Sequence, residues 1–78
     1  MMTFMRLLYC TDDFVCYEYG KDEKNMIGKV TVEIKQKQNC KFEYYGNNVF
    51  TSSTGHTVGM IYKFINNNKF PDTYIYAC

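Results

Sequence analysis

Aromatic and β-branched residues recur at every second position in several stretches of this chain, and that spacing leaves few folds open to it. Val15-Cys16-Tyr17-Glu18-Tyr19, Cys40-Lys41-Phe42-Glu43-Tyr44-Tyr45 and Tyr74-Ile75-Tyr76 carry the pattern. Alternate side chains of a strand point to opposite faces, so such runs describe a pleated sheet with one covered face. Eight Tyr and six Phe supply 18% of the residues, with no Trp. Each ring buries a large area for few rotatable bonds. This matters in a chain of 78 residues. A domain of that size hides only about 60–65% of the surface its unfolded form exposes.

Residues 3–9 read as a first strand, with Met5, Leu7 and Tyr9 on one face and Phe4, Arg6 and Leu8 on the other. Both faces are mostly apolar, which places this strand inside the sheet. Thr11-Asp12-Asp13 is a turn, and residues 14–19 form a second, antiparallel strand. Residues 20–28 read as a charged loop whose apolar members are Met26 and Ile27. Residues 29–36 are the cleanest strand: Val30, Val32 and Ile34 point in, and Lys29, Thr31, Glu33 and Lys35 point out. Residues 40–45 repeat the pattern, with Cys40, Phe42 and Tyr44 inward and Lys41, Glu43 and Tyr45 outward. Like charges directly opposite each other destabilise a ladder. The expected register therefore sets Glu33 against Lys41, or Lys35 against Glu43.

Gly46-Asn47-Asn48 is a turn, and residues 49–51 read as a short continuation of strand. Ser52, Ser53 and Thr54 are candidate N-caps. From residue 55 to about 66 the period becomes helical: Val58, Ile61, Tyr62 and Ile65 form a stripe widened by Met60 and Phe64. His56, Gly59, Lys63 and Asn66 fall on the opposite side. Pro71 ends this segment, and residues 72–78 form a last strand with Tyr74 and Tyr76 on one side. A helix between two strands of one sheet is a crossover, so the last strand is expected to run parallel to a neighbour. The expected fold class is α+β: one domain over residues 1–78, with a mainly antiparallel sheet of about five strands in the order β-β-β-β-α-β. One helix packs on one face.

The formal net charge of +1 gives neither the basic excess of a nonspecific DNA binder nor the acidic excess of a nucleic-acid mimic. Arg6 is the one arginine, and bidentate phosphate recognition leans on arginine. No segment is long enough to span a bilayer, and the start of the chain is too short and too broken for a signal-peptide core, so a cytoplasmic protein is expected.

Four cysteines, Cys10, Cys16, Cys40 and Cys78, are scattered without a C-x-x-C pair, and His56 is the only histidine. Zinc ligands in small domains come as close pairs, so no metal and no cofactor is expected, and the thiols read as reduced, small hydrophobic fillers. Cys78, being terminal, is the expected reactive thiol. His56 is the only imidazole base for a thiol nucleophile, but nothing in the sequence sets a cysteine beside it, and a polar residue on the outer helix face is the simpler reading. The hydroxyl run before the helix suits an anion, yet ordinary capping accounts for it. No catalytic cluster emerges, and a non-enzyme is expected.

Two surfaces are left. Lys35, Lys41 and Tyr45, with Lys29, are a candidate basic-aromatic face for single-stranded nucleic acid or a partner, diluted by Glu33 and Glu43. His56, Gly59 and Lys63 are a candidate strip for another protein, since a glycine inside a helix costs about 1 kcal/mol and asks for a reason. The expected function is a small non-enzymatic protein-binding protein. An inhibitor or accessory factor of a mobile-element type fits that description, and a homodimer is open to it; the outer sheet aromatics or an unpaired edge strand offer a second route to a partner. The alternatives are a nucleic-acid-binding domain using the sheet face and, behind it, a thiol-dependent enzyme.

Overall fold

A computed structural model describes residues 2–77. Strands β1 (Met2–Cys10), β2 (Phe14–Gly20), β3 (Met26–Glu33) and β4 (Cys40–Tyr44) precede helix α1 (Ser52–Asn67) and strand β5 (Thr73–Ala77). The strands form one five-stranded sheet in the order β4-β3-β2-β1-β5, antiparallel at every junction. This is the small α+β fold expected, with the apolar first strand inside the sheet.

The last strand corrects the expectation of a parallel neighbour. Strands β4 and β5 do run in the same direction, but α1 carries the chain from one edge of the sheet to the other. The strand that β5 meets is β1, which runs oppositely.

The helix side of the sheet is the core. Met5, Val15, Tyr17, Tyr19, Val30 and Val32 pack there against Met60, Ile61 and Phe64. Leu7 pairs with Tyr17, but a bulge follows and sets Tyr9 opposite Cys16, so Tyr9 turns to the far face rather than joining Met5 and Leu7.

The third strand begins earlier than its alternation indicated. Met26, Ile27 and Gly28 belong to it, and the exposed loop shrinks to residues 21–25. Glycine is needed at position 28: a Cβ there would lie 2.4 Å from the Glu43 carbonyl oxygen and 3.3 Å from the Tyr19 hydroxyl. This start shifts the β3–β4 register. Lys29 faces Glu43, Val30 faces Phe42 and Thr31 faces Lys41, so neither expected pair forms, although opposite charges do meet. Lys35 falls past the strand, in the bend before β4. Residues 49–51 are not strand; Val49 and Phe50 are exposed, and Phe50 packs edge-on against Phe42.

The helix starts before residue 55, with Thr51 as its N-cap, and ends on Asn68 in the left-handed region at φ 51°. Its buried residues are Ser53, Thr54, Thr57, Met60, Ile61 and Phe64. Val58, Tyr62 and Ile65 are half-buried. Met60, Ile61 and Phe64 belong to both sets, but the centre of the covered face is turned by about 60° from that of the expected stripe. The cause is polar. The Thr3 hydroxyl donates to Ser53 Oγ at 3.1 Å, and the Tyr19 and Thr54 hydroxyls share a hydrogen bond of 2.7 Å. These buried bonds draw the hydroxyl side of the first turn onto the sheet, where an unpaired hydroxyl would be costly.

Candidate functional site

The rotation of α1 decides what its exposed flank meets. His56, Met60, Lys63 and Phe64 face β5, the strand the helix does not roof. Between them lies an open groove of about 550 Å³, bounded by Met60, Lys63, Phe64, Lys69, Tyr74 and Tyr76 among others. Alternation in β5 delivers Tyr74 and Tyr76 to this side, opposite Met5 and Thr3 of β1. Tyr74 meets the Phe64 ring edge-on, with centroids 5.3 Å apart. Pro71 closes the lower end, its carbonyl accepting a 2.6 Å bond from the buried Tyr17 hydroxyl.

The three strip residues end up in different settings. His56 is half-buried and stacks on Tyr76, with centroids 4.5 Å apart and planes 26° from parallel. Its Nδ1 is buried with no hydrogen-bond partner among the described residues. Lys63 is exposed and lines the groove. Gly59 lies on the exposed crest between them; a Cβ there would meet nothing within 4 Å. No contact among the described residues requires that glycine.

The far face of the sheet holds the other candidates. In one row across four strands, Arg6 faces Glu18, Glu18 faces Lys29 and Lys29 faces Glu43. Two of these pairs close as salt bridges, Arg6–Glu18 at 3.5 Å and Lys29–Glu43 at 3.6 Å. The Glu43 carboxylate raises the Lys29 ammonium above its usual range. Tyr45 follows β4 and lies half-buried near this row; burial, then the Glu18 charge, raises its hydroxyl above the ordinary tyrosine value. Lys41 faces Thr31 and is exposed, and Lys35 is exposed in the bend. The structure therefore gathers Lys41 and Tyr45 on this face, leaves Lys35 off the sheet, and alternates the charge between.

The described cysteines do not assemble with His56. Cys10 is exposed beside Thr11, Cys16 is buried on the far face, and Cys40 contacts the Lys37 carbonyl and the Tyr62 hydroxyl. The hydrogen bond to Cys40, and then burial, raises the Tyr62 hydroxyl above its usual value. The expectation placed on Cys78 lies outside the described residues. Among the described residues no three His, Cys, Asp or Glu side chains gather as metal ligands, and no helix is long and apolar enough to cross a membrane.

Sequence reasoning missed Ser53, Thr54 and Thr57 as buried residues because hydroxyls before a helix read as caps. It also missed the groove, since nothing local shows that β5 lies beside the His56–Lys63 flank. A comparison with protein-family models, curated proteins and solved structures returns no match.

Proposed function

We propose that this chain is a small non-enzymatic protein-binding domain that docks a partner protein along the α1–β5 side. The observation that carries the reading is convergence. An unpaired strand edge, a groove floored by tyrosine rings, and the crest of His56, Gly59 and Lys63 adjoin one another. Protein interfaces favour aromatic anchors in a partly preformed cleft, and a glycine on the crest allows a partner backbone close approach. An inhibitor or accessory factor works by this kind of occupancy. The free thiols of Cys10, Cys16 and Cys40 suit the reducing cytoplasm as its place of action.

The far face supports the nucleic-acid reading less well, because Arg6 and Lys29 are each matched by a carboxylate. The thiol-enzyme reading lacks a described cysteine beside its base.

The test is affinity capture from the source cell with the wild-type chain, Gly59→Arg and a far-face control, Lys41→Ala. Gly59→Arg adds a long side chain where a Cβ has open space, so thermal unfolding should stay cooperative. Loss of a captured protein with Gly59→Arg alone supports docking on this side. Equal capture by all three chains overturns it.

A further inference from the structure

Resting on that reading, we infer that the occupant is an extended acidic segment of the partner, added to the sheet as a sixth strand along β5. The first argument is the state of the edge. In an antiparallel ladder, residues alternate between those that exchange hydrogen bonds with the neighbour and those whose N–H and C=O point away. Leu7 donates its N–H to the Asp72 carbonyl at 2.8 Å, which fixes the phase. Continuing the register, Tyr74 and Tyr76 direct their backbone groups to Met5 and Thr3, and Thr73, Ile75 and Ala77 direct theirs outward. Among the described residues β5 pairs with β1 alone, so an ordered row of donors and acceptors faces away from the sheet. Another backbone in extended form matches such a row.

The second argument is charge. On the helix side of that edge, the described lining residues that carry charged side chains are Lys63 and Lys69; none of those described is acidic. Asp72 stands at the start of β5, exposed, outside the lining. A strand laid along β5 sends every second side chain to the groove side, about 6.8 Å apart. Aliphatic or aromatic side chains there would rest on Tyr74 and Tyr76, and carboxylates would reach Lys63 and Lys69. A second copy of this chain suits the site poorly. Pairing two β5 edges about a two-fold axis would bring both copies' Lys63 and Lys69 around one shared groove, and like charges oppose that. Single-stranded nucleic acid would find rings and two lysines, but it has no alternating amide row to meet the edge.

The test uses the whole chain, labelled with 15N, and three probes: a blocked hexapeptide with threonine at its odd positions and valine, glutamate and glutamate at its even positions, so that apolar and acidic side chains share one face; its counterpart with lysine in place of glutamate; and a decathymidylate oligonucleotide. The glutamate peptide should shift the amide signals of Thr73, Ile75 and Ala77 most strongly and bind at least tenfold more tightly than the lysine peptide. Its affinity should fall several-fold between 50 and 500 mM salt, as expected for opposite charges at a solvent-exposed site. Lys63→Glu with Lys69→Glu should invert the peptide preference. Ile75→Pro removes an outward N–H and no bond to β1, so it should keep the fold and weaken the glutamate peptide at least tenfold. If that variant fails to fold, N-methylation of alternate peptide residues, each of the two sets in turn, supplies the same test from the other side, with one set abolishing binding.

Equal affinity for both peptides, no shift at millimolar peptide, shifts centred elsewhere, tighter binding of the oligonucleotide, or a concentration-dependent dimer lost on Ile75→Pro would each overturn the inference. A captured partner that Gly59→Arg loses and Ile75→Pro keeps would remove strand addition while leaving docking in place. Capture indifferent to both variants would remove docking as well.

Discussion

The hydroxyl of Thr54 offers a decisive test of how α1 is aimed. It is fully buried, shares a 2.7 Å bond with Tyr19, and accepts the Thr51 N–H at 3.1 Å. Thr54→Val keeps the shape of the side chain and removes both functions. Leaving the buried Tyr19 hydroxyl unpaired should cost about 1–3 kcal/mol. Losing the bond to the helix start should add about 1 kcal/mol. The sum, about 2–4 kcal/mol, is a large part of the stability of a small domain, roughly 4–12 kcal/mol at this length. The melting temperature should fall by roughly 8–30 °C.

Urea unfolding of Thr54→Val, Tyr19→Phe and the double variant measures the coupling. The double variant no longer leaves the Tyr19 hydroxyl stranded, so it should lose at least about 1 kcal/mol less than the two single losses added together. A Thr54→Val chain within about 0.5 kcal/mol of wild type, or strictly additive losses, would refute the claim that these buried hydroxyls orient the helix.

Gly59→Ala should stabilise the chain by about 1 kcal/mol, because a Cβ meets open space there and the unfolded chain loses freedom; a lower melting temperature would contradict this. Raising the pH above about 10 should unfold the protein progressively. Burial holds the Tyr17 and Tyr19 hydroxyls above the ordinary tyrosine value, so the unfolded chain releases these protons first and stability declines as pH climbs. The last part of the rise in ultraviolet absorbance, from the buried pair, should therefore coincide with loss of the circular dichroism signal in an alkaline titration; full ionisation of all tyrosines in a still-folded chain would be the contrary result.

The elements were largely legible because their patterns are local. Val30 and Val32 alternate with Lys29 and Thr31, and the helix carries its own period. What was hidden depends on distant partners. Gly28 reads as a loop residue until Glu43 and Tyr19 are known to press on it. The charge rule for the β3–β4 hairpin was sound, but the pair that satisfied it was Lys29 with Glu43, which required a strand that began at Met26. The helix stripe was misjudged because hydrophobicity alone ranks Val58 and Ile65 above Thr54 and Thr57. Partners on β1 and β2 reverse that order for Ser53 and Thr54. Of the site, His56, Gly59 and Lys63 were visible as an exposed flank; the tyrosines beside them were visible only as a strand.

The seat of β5 also bears on the order in which the chain can assemble. β1 through β4 are consecutive hairpins with short connections, and each can zip from its own turn. The ladder that sets Met2 against Ala77 joins the two most distant described segments, so it carries the largest loop-closure entropy. While the chain is being synthesised, residues 73–77 leave the ribosome after the rest of the sheet. Until they arrive, β1 is itself a bare margin, open to the kind of misjoined neighbour that finished sheets avoid. Residues 73–77 thus act as a zipper stop, and nascent chains that have not yet released them would be the species most in need of a chaperone.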